Sequence, residues 1–327
     1  MQHTPKAGPP STCLQRALKS TFRVENKLIA NNMVFSGLAS FRSTIFNDDA
    51  MFGTTIFLHD ANFAQTQWNG SCFFPAVQFA GNANFKAAIF NGFVRFQSSS
   101  FGINTKSSMG TLPSDLAKQD FSDCQFDKPT SFRDAKFSTT YPILNGAVLH
   151  KNTDFSTDKK LWPNCQQADP KAARESCAKI RHTIAQQGLP EGEHFFFRRE
   201  MGFAAQIGGF WQRLPYRLFG LLSNFGESIA RPLIGLGIAF VTFAVMFSAY
   251  FNWMNEFHDK VYGGAAAFTL SGSNLFSFLG FHRFYFTSLG FAEMHWFVQL
   301  LCAIEVLLGL VLLFFLGLAL RKRFRLR

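Results

Sequence analysis

The chain has 327 residues, 47% of them hydrophobic and 16% charged, with 32 Lys and Arg against 21 Asp and Glu. That balance excludes an acidic disordered chain and a uniformly polar soluble domain, and the length suits about two domains. Phe alone accounts for 43 residues, against five Trp and five Tyr, and a bias of that kind points to a repeat.

The start, MQHTPKAGPPSTC, has no apolar stretch that could act as a signal peptide, so synthesis is expected to begin in the cytoplasm. Residues 1–30 read as a flexible N-terminal segment. The cysteines, at 13, 72, 124, 165, 177 and 302, form neither a CxxC pair nor a group with His. No metal site, cofactor site or disulfide framework is therefore expected.

From residue 31 to 157 a ruler of large side chains runs along the chain. After Phe35 its marks are Phe41, Phe46, Phe52, Phe57, Phe63, Trp68, Phe74, Phe79, Phe85, Phe90, Phe96 and Phe101, at gaps alternating between six and five. Phe121, Phe126, Phe132 and Phe137 resume it, and Ile143, Leu149 and Phe155 continue it. Two positions before each mark stands a mostly small residue, such as Ala50, Thr55, Ala61, Cys72 or Ala83. A spacing of five to six fits neither the 3.6 period of a helix nor the 2.0 period of a strand. It fits a coil with flat sides. If each unit makes one side, residues i and i+2 both point inward, and successive coils stack at the inter-strand distance of about 4.8 Å.

The segments A-N-F (61–63 and 83–85), A-M-F (50–52), A-I-F (88–90) and T-D-F (153–155) resemble pentapeptide repeats of the Phe-rich subclass. The resemblance implies a right-handed quadrilateral β-helix, a mostly β soluble domain, with the Phe marks as its core. Residues 102–120 lack marks and carry Gly, Ser, Pro and Lys, so they read as a loop or insertion. Members that resemble duplex DNA do so through an acidic surface. Residues 1–154 here carry 14 basic and 10 acidic side chains, which excludes that mimicry. Nucleic-acid binding is not expected either, because the basic residues are scattered and the aromatics are used as core.

Residues 158–230 read as a helical connector. Strong helix formers lie between Pro170 and Gly188, and a second helix opens at Pro190. The stretch EHFFFRRE (193–200) and the residues to Pro232 resemble the linker that joins such repeats to a two-span membrane domain in bacterial proteins, and this linker is expected to pack on the end of the coil. The charged residues around His182 and His194 read as a solvated helix face, since no nucleophile, base and orienting group are spaced for catalysis.

Residues 231–327 read as an α-helical transmembrane domain. The run from Pro232 to Asn255 has no charge and is long enough for a first span; residues 296–320 make a second, interrupted only by Glu305. The tail RKRFRLR is strongly basic and is expected to stay cytoplasmic, with both termini on that side of a bacterial inner membrane. Residues 261–282 are uncharged but broken by Gly and Ser, which suggests an interfacial or re-entrant segment.

Span, short dipping segment and span together resemble the two-helix pore domain of potassium-channel-like proteins. Thr287, Ser288, Leu289, Gly290 and Phe291 line up with that family's filter, with Ala292 in place of its second glycine; Ile304, Glu305 and Gly309 line up with its I-E-x-x-x-G. Residues 271–283 and 318–325 also resemble related pentapeptide membrane proteins without a working filter. Glu305 reads either as an ion-path acid or as part of a polar packing seam with His295, Gln299, Cys302 and Gly309, opposite Gly235, Ala239 and Thr242.

The expected function is a membrane-anchored binding or scaffold module without catalysis, whose partners are the lipid bilayer and either another protein or a second copy. The alternative is an oligomeric ion channel with the β-helix as its cytoplasmic regulatory domain.

Overall fold

Phe63 lies over Phe41 and under Phe85 because the strands that carry the three rings pair in register, Ala39 with Ala61 and Ala61 with Ala83. A computed structural model describes residues 22–102, 117–164, 169–257, 265–279 and 295–323. In it the chain forms two compact units, Met1–Ile207 and Gly208–Arg327.

The first unit is a parallel β-solenoid of about five turns. Its strands are two residues long, save one of three, and build four parallel sheets that begin at Arg23–Val24, Leu28–Ile29, Val34–Phe35 and Ala39–Ser40. Partners lie 22 residues apart, as in Arg23 with Ile45 and Cys72 with Val94. Each strand is too short to be stable alone, so the fold depends on stacking.

The alternation of six and five has a conformational origin. Ser43, Thr54, Gln65, Ala76, Ala87 and Ser98 have positive φ near 55°, and each falls within a five-residue side. There a type II turn closes with a bond such as Ala88 N–H to the Phe85 carbonyl, 2.9 Å. Six-residue sides turn without a left-handed residue among those at positive φ. At Ala87 the left-handed conformation costs about 1–2 kcal/mol, more than the extra chain entropy of a glycine. Ala87→Gly is therefore expected to stabilise the solenoid by about 0.5–1 kcal/mol, visible as a higher urea midpoint with unchanged slope.

Three boundaries differ from the sequence reading. The coil begins at Arg23, inside the segment read as flexible: the first turn uses Val24 and Ala30 where later turns use aromatics, with Leu28 supplying bulk at the usual small position. Strand Gln119–Asp120 lies inside the segment read as a loop, and partners across that segment are 36 residues apart, so 14 residues are inserted into one turn. The last turn has one residue more, Phe132 pairing with Phe155 at a separation of 23. That extra residue moves the inward mark from Ile143, which is half-buried, to Leu144, which is 3% exposed.

After the last coil come α1 (Pro170–Gln186) and α2 (Pro190–Ala204), a hairpin within the same unit. Asp169 caps α1 by accepting from the Lys171 and Ala172 N–H groups, and Pro170 and Pro190 open the two helices, where a missing N–H costs nothing. The hairpin buries Cys177, Ile180, Ile184, Phe196 and Phe203 with the solenoid core. Trp162 continues one ring column by stacking on Phe137 at 5.0 Å, and Phe196 meets Trp162 edge-on. The helix face read as solvated is in fact buried at Arg199 and Glu200, each 7% exposed. Arg199 Nη1 donates to the Tyr141 hydroxyl and to the Pro163 carbonyl, and Glu200 accepts from Arg181 Nε at 2.8 Å. Gln187 donates to the Lys151 and Thr153 carbonyls. The reason is polar satisfaction: Gln187 and Arg199 supply donors to carbonyls covered by the hairpin, and Glu200 is held by its ion pair with Arg181.

The second unit contains α3 (Phe210–Ser223), α4 (Ala230–Phe257), α5 (Ala266–Leu275) and α6 (Trp296–Arg323). Two of them, over Ala230–Glu256 and Trp296–Arg321, are long and apolar enough to cross a membrane. Their exposure is the inverse of a water-soluble helix. Outward positions are apolar, among them Ile234, Ile238, Val241 and Val245 on α4 and Leu307, Leu310 and Phe314 on α6. Inward positions on α6 are Val298, Cys302, Glu305, Gly309 and Leu312, at alternating steps of four and three, and then Ala319, seven residues further on. On α4 the inward row is Leu236, Ala239, Phe243, Phe247 and Phe251; Thr242, read as part of that seam, is exposed.

Candidate functional site

The solenoid interior is solid. Its four ring columns stack at separations such as 4.9 Å for Phe63 on Phe85, 5.0 Å for Phe52 on Phe74 and 5.1 Å for Phe57 on Phe79, nearly parallel, and neighbouring columns meet edge-on, as Phe85 does with Phe96 at 5.5 Å. Both geometries are favourable for ring quadrupoles. Of the marks from Phe41 to Phe101 all are buried except Phe41, which is half-buried because, among the described residues, the first turn has a neighbour on one side only. Small side chains between the columns bond locally: Trp68 Nε1 donates to Thr66 Oγ1, and the Thr66 hydroxyl to the Phe63 carbonyl. Burial pushes the Cys124 thiol up to about 12, and Cys72 is raised by burial and then by the Asp49 carboxylate. These thiols are inert packing groups.

Chemistry on the solenoid is therefore confined to its outside. Along one corner Asn91 donates to Asn69 and Asn69 to Asn47, a ladder one coil per step, which ends at Glu25. Apolar exposure is densest on the first turn, with Ile89, Phe93 and Val148 as scattered cases further along. Phe22, Ile29, Met33, Val34 and Leu38 are all exposed on that first turn, Leu38 at 80%. Outward positions of later turns include Gln67, Gln78, Asn62 and Asn84. The first turn thus combines strand edges unpaired among the described residues with an apolar rim, and its charges, Arg23, Glu25 and Lys27, are of both signs.

The second polar constellation lies in the helical unit. α5 is ten residues long, about 15 Å at 1.5 Å per residue, so it cannot cross a membrane. It packs against both α4 and α6. A Cβ on Gly309 would stand 2.8 Å from the Leu275 carbonyl oxygen, so glycine is what lets the end of α5 approach α6. One step away Glu305 is 0% exposed. Asn274 Nδ2 donates to Glu305 Oε2 at 2.8 Å, Ser271 Oγ is in hydrogen-bond contact with Oε1, and the same Ser271 Oγ lies 3.1 Å from the Phe240 carbonyl of α4. Cys302 is one turn earlier on the same face and is buried.

Of the residues singled out in the sequence, Glu305, Cys302 and Gly309 share this seam; Gln299 is half-buried and His295 exposed. Thr287, Ser288, Leu289, Gly290 and Phe291 lie outside the described residues. Ser271 and Asn274, the partners of Glu305, are not among the residues the sequence singles out. Their signal is present in the sequence, two polar residues one helical turn apart in an uncharged segment, but nothing local links them to position 305.

Fold and site together define a parallel β-solenoid joined to a helical unit in which two helices are suited to membrane association. Comparison with protein-family models, with curated proteins and with solved structures found no match.

Proposed function

We propose that this protein is a membrane-anchored scaffold of the Phe-rich pentapeptide-repeat kind, whose solenoid binds a protein partner or a second copy and performs no catalysis. The observation that carries the reading is the contrast between a filled interior and the apolar rim of the first turn, where Ile29, Met33, Val34 and Leu38 are exposed among the described residues. A solid ring core has no room for a substrate, and exposed apolar clusters of this kind are typical of association surfaces. The basic tail supports a cytoplasmic solenoid in a bacterial inner membrane. α3, with Trp211 and Leu221 exposed beside Arg213 and Arg217, suits the headgroup layer.

The test is cross-linking in native membranes. The Lys27 amine on the first turn should link to a defined partner peptide or to a second copy of the chain, and the double substitution Val34→Glu with Leu38→Glu should lower that product at least about tenfold while thermal melting stays unchanged. Cross-links confined to the opposite end of the solenoid would refute the assignment.

A second reading is favoured by one specific feature, the short α5 packed between two candidate spans, an order shared with channel pore domains. On that reading purified protein in liposomes passes cations, and Gly290→Pro abolishes the flux. Sealed vesicles at full reconstitution would remove it.

A further inference from the structure

We propose that α4, α5 and α6 build an intramembrane proton site: Glu305 is held as the neutral carboxylic acid, donating to Ser271 Oγ, while Ser271 donates to the Phe240 carbonyl and Asn274 donates to the second carboxyl oxygen. The inference rests on counting hydrogens. Ser271 has one hydroxyl hydrogen, yet its oxygen stands in hydrogen-bond contact with two acceptors, Glu305 Oε1 and the Phe240 carbonyl. With an ionised Glu305 the hydroxyl can serve only one of them, and lone pairs face each other across the remaining contact. A proton on Glu305 Oε1 turns all three contacts of the cluster into hydrogen bonds with correct polarity.

A second observation agrees. Asn274 Oδ1 is buried and has no donor among the described residues. The cluster is therefore rich in acceptor oxygens and poor in hydrogens, the composition that attracts a proton in a place where an unpaired charge is costly.

The charge environment offers no substitute among the described residues, where no ion pair involves Glu305. α5 carries no ionisable side chain. On α4 the ionisable groups are Arg231, Tyr250 and Glu256, and the nearest to Phe240 along the helix is Arg231, about 13 Å away at 1.5 Å per residue. On α6 they are Cys302, one turn before Glu305, and the basic residues from Arg321 onward. α3 brings Arg213, Tyr216 and Arg217, and meets α6 through Phe219 on Phe315, ten residues beyond Glu305. This proposal does not depend on what the solenoid binds or on whether ions flow.

Two measurements on the full chain in membranes test it. Dicyclohexylcarbodiimide adds to a protonated carboxyl in an apolar setting, the acid's O–H adding across one C=N bond before rearrangement to a stable N-acylurea. Peptide mass spectrometry should find the adduct on Glu305 under mildly acidic conditions, with the rate falling about tenfold for each pH unit above the titration midpoint. Glu305→Gln replaces the donated O–H by N–H, so it should lose the adduct and keep the melting profile. Infrared spectra of wild-type membranes should show the carbonyl stretch of a neutral carboxylic acid that Glu305→Gln lacks. Loss of that band, or its absence from the wild type, separates the cases even where the reagent has no access or the variant misfolds. A wild type with carboxylate bands only would overturn the proposal and indicate an ion pair with a cation such as Arg283. Labelling that sodium or potassium blocks would overturn it in favour of a metal-cation site.

Discussion

Replacing Phe85 by Ala should cost about 4 kcal/mol and abolish cooperative folding of the solenoid in a marginally stable background. Phe85 stacks on Phe63 and Phe121 at 4.9 Å each and meets Phe74, Phe79 and Phe96 edge-on. Truncation removes the ring's transfer energy and leaves a cavity that rigid coils on either side cannot close. The buried thiols provide the readout. Cys124, whose thiol donates to the Phe85 carbonyl at 2.9 Å, and Cys72 should resist alkylation in the wild type and become labelled in Phe85→Ala. Phe22→Ala is the control, because its ring is 67% exposed, and its effect on stability should stay within about 0.5 kcal/mol. Equal losses at both positions would mean that the columns are not the source of stability.

The second large effect is expected at a position with no side chain to remove. A Cβ on Gly92 would lie 2.3 Å from the carbonyl oxygen of Gly70 on the preceding turn, and the obstacle is backbone, which cannot swing aside. Gly92→Ala must therefore prise two coils apart or shift a corner, at about 2–3 kcal/mol. Gly37 occupies the comparable corner two turns before Gly81, yet nothing lies within 4 Å of its Cβ position, because no turn precedes it among the described residues. Gly37→Ala should be neutral or slightly stabilising. A melting comparison of the two alanine variants in the full chain checks the pair, and equal midpoints would contradict the stacking geometry.

Much of this architecture could be read before any coordinates. A ring recurring every five or six residues with a small residue two before it leaves few solutions, and the columns from Phe46 to Phe137 follow that reading. Where it slipped, the cause was substitution within the pattern. Ala30 at a mark with Leu28 before it conserves volume while reversing the signature, so the first turn went unseen. One inserted residue in the last turn moved the inward position from Ile143 to Leu144, and hydrophobicity cannot separate two adjacent aliphatics. Arg199 and Glu200 read as surface residues because charge is normally solvated; the partners that hold them, Tyr141 and Pro163 for Arg199 and Arg181 for Glu200, are 58, 36 and 19 residues away in the chain.

Sequence alone was sufficient for the solenoid and for the two apolar helices, since both are written in relations between near neighbours: a repeat length in one case, an unbroken run of about twenty residues in the other. It also picked out Glu305 as unusual. That Ser271 and Asn274 enclose this carboxyl, and that the Phe240 carbonyl competes for the Ser271 hydroxyl, was decided by tertiary packing of three helices, across separations of 31 and 34 residues. Helical phase sets which side chains face inward, but only the mutual approach of α5 and α6 at Gly309 sets which of them meet.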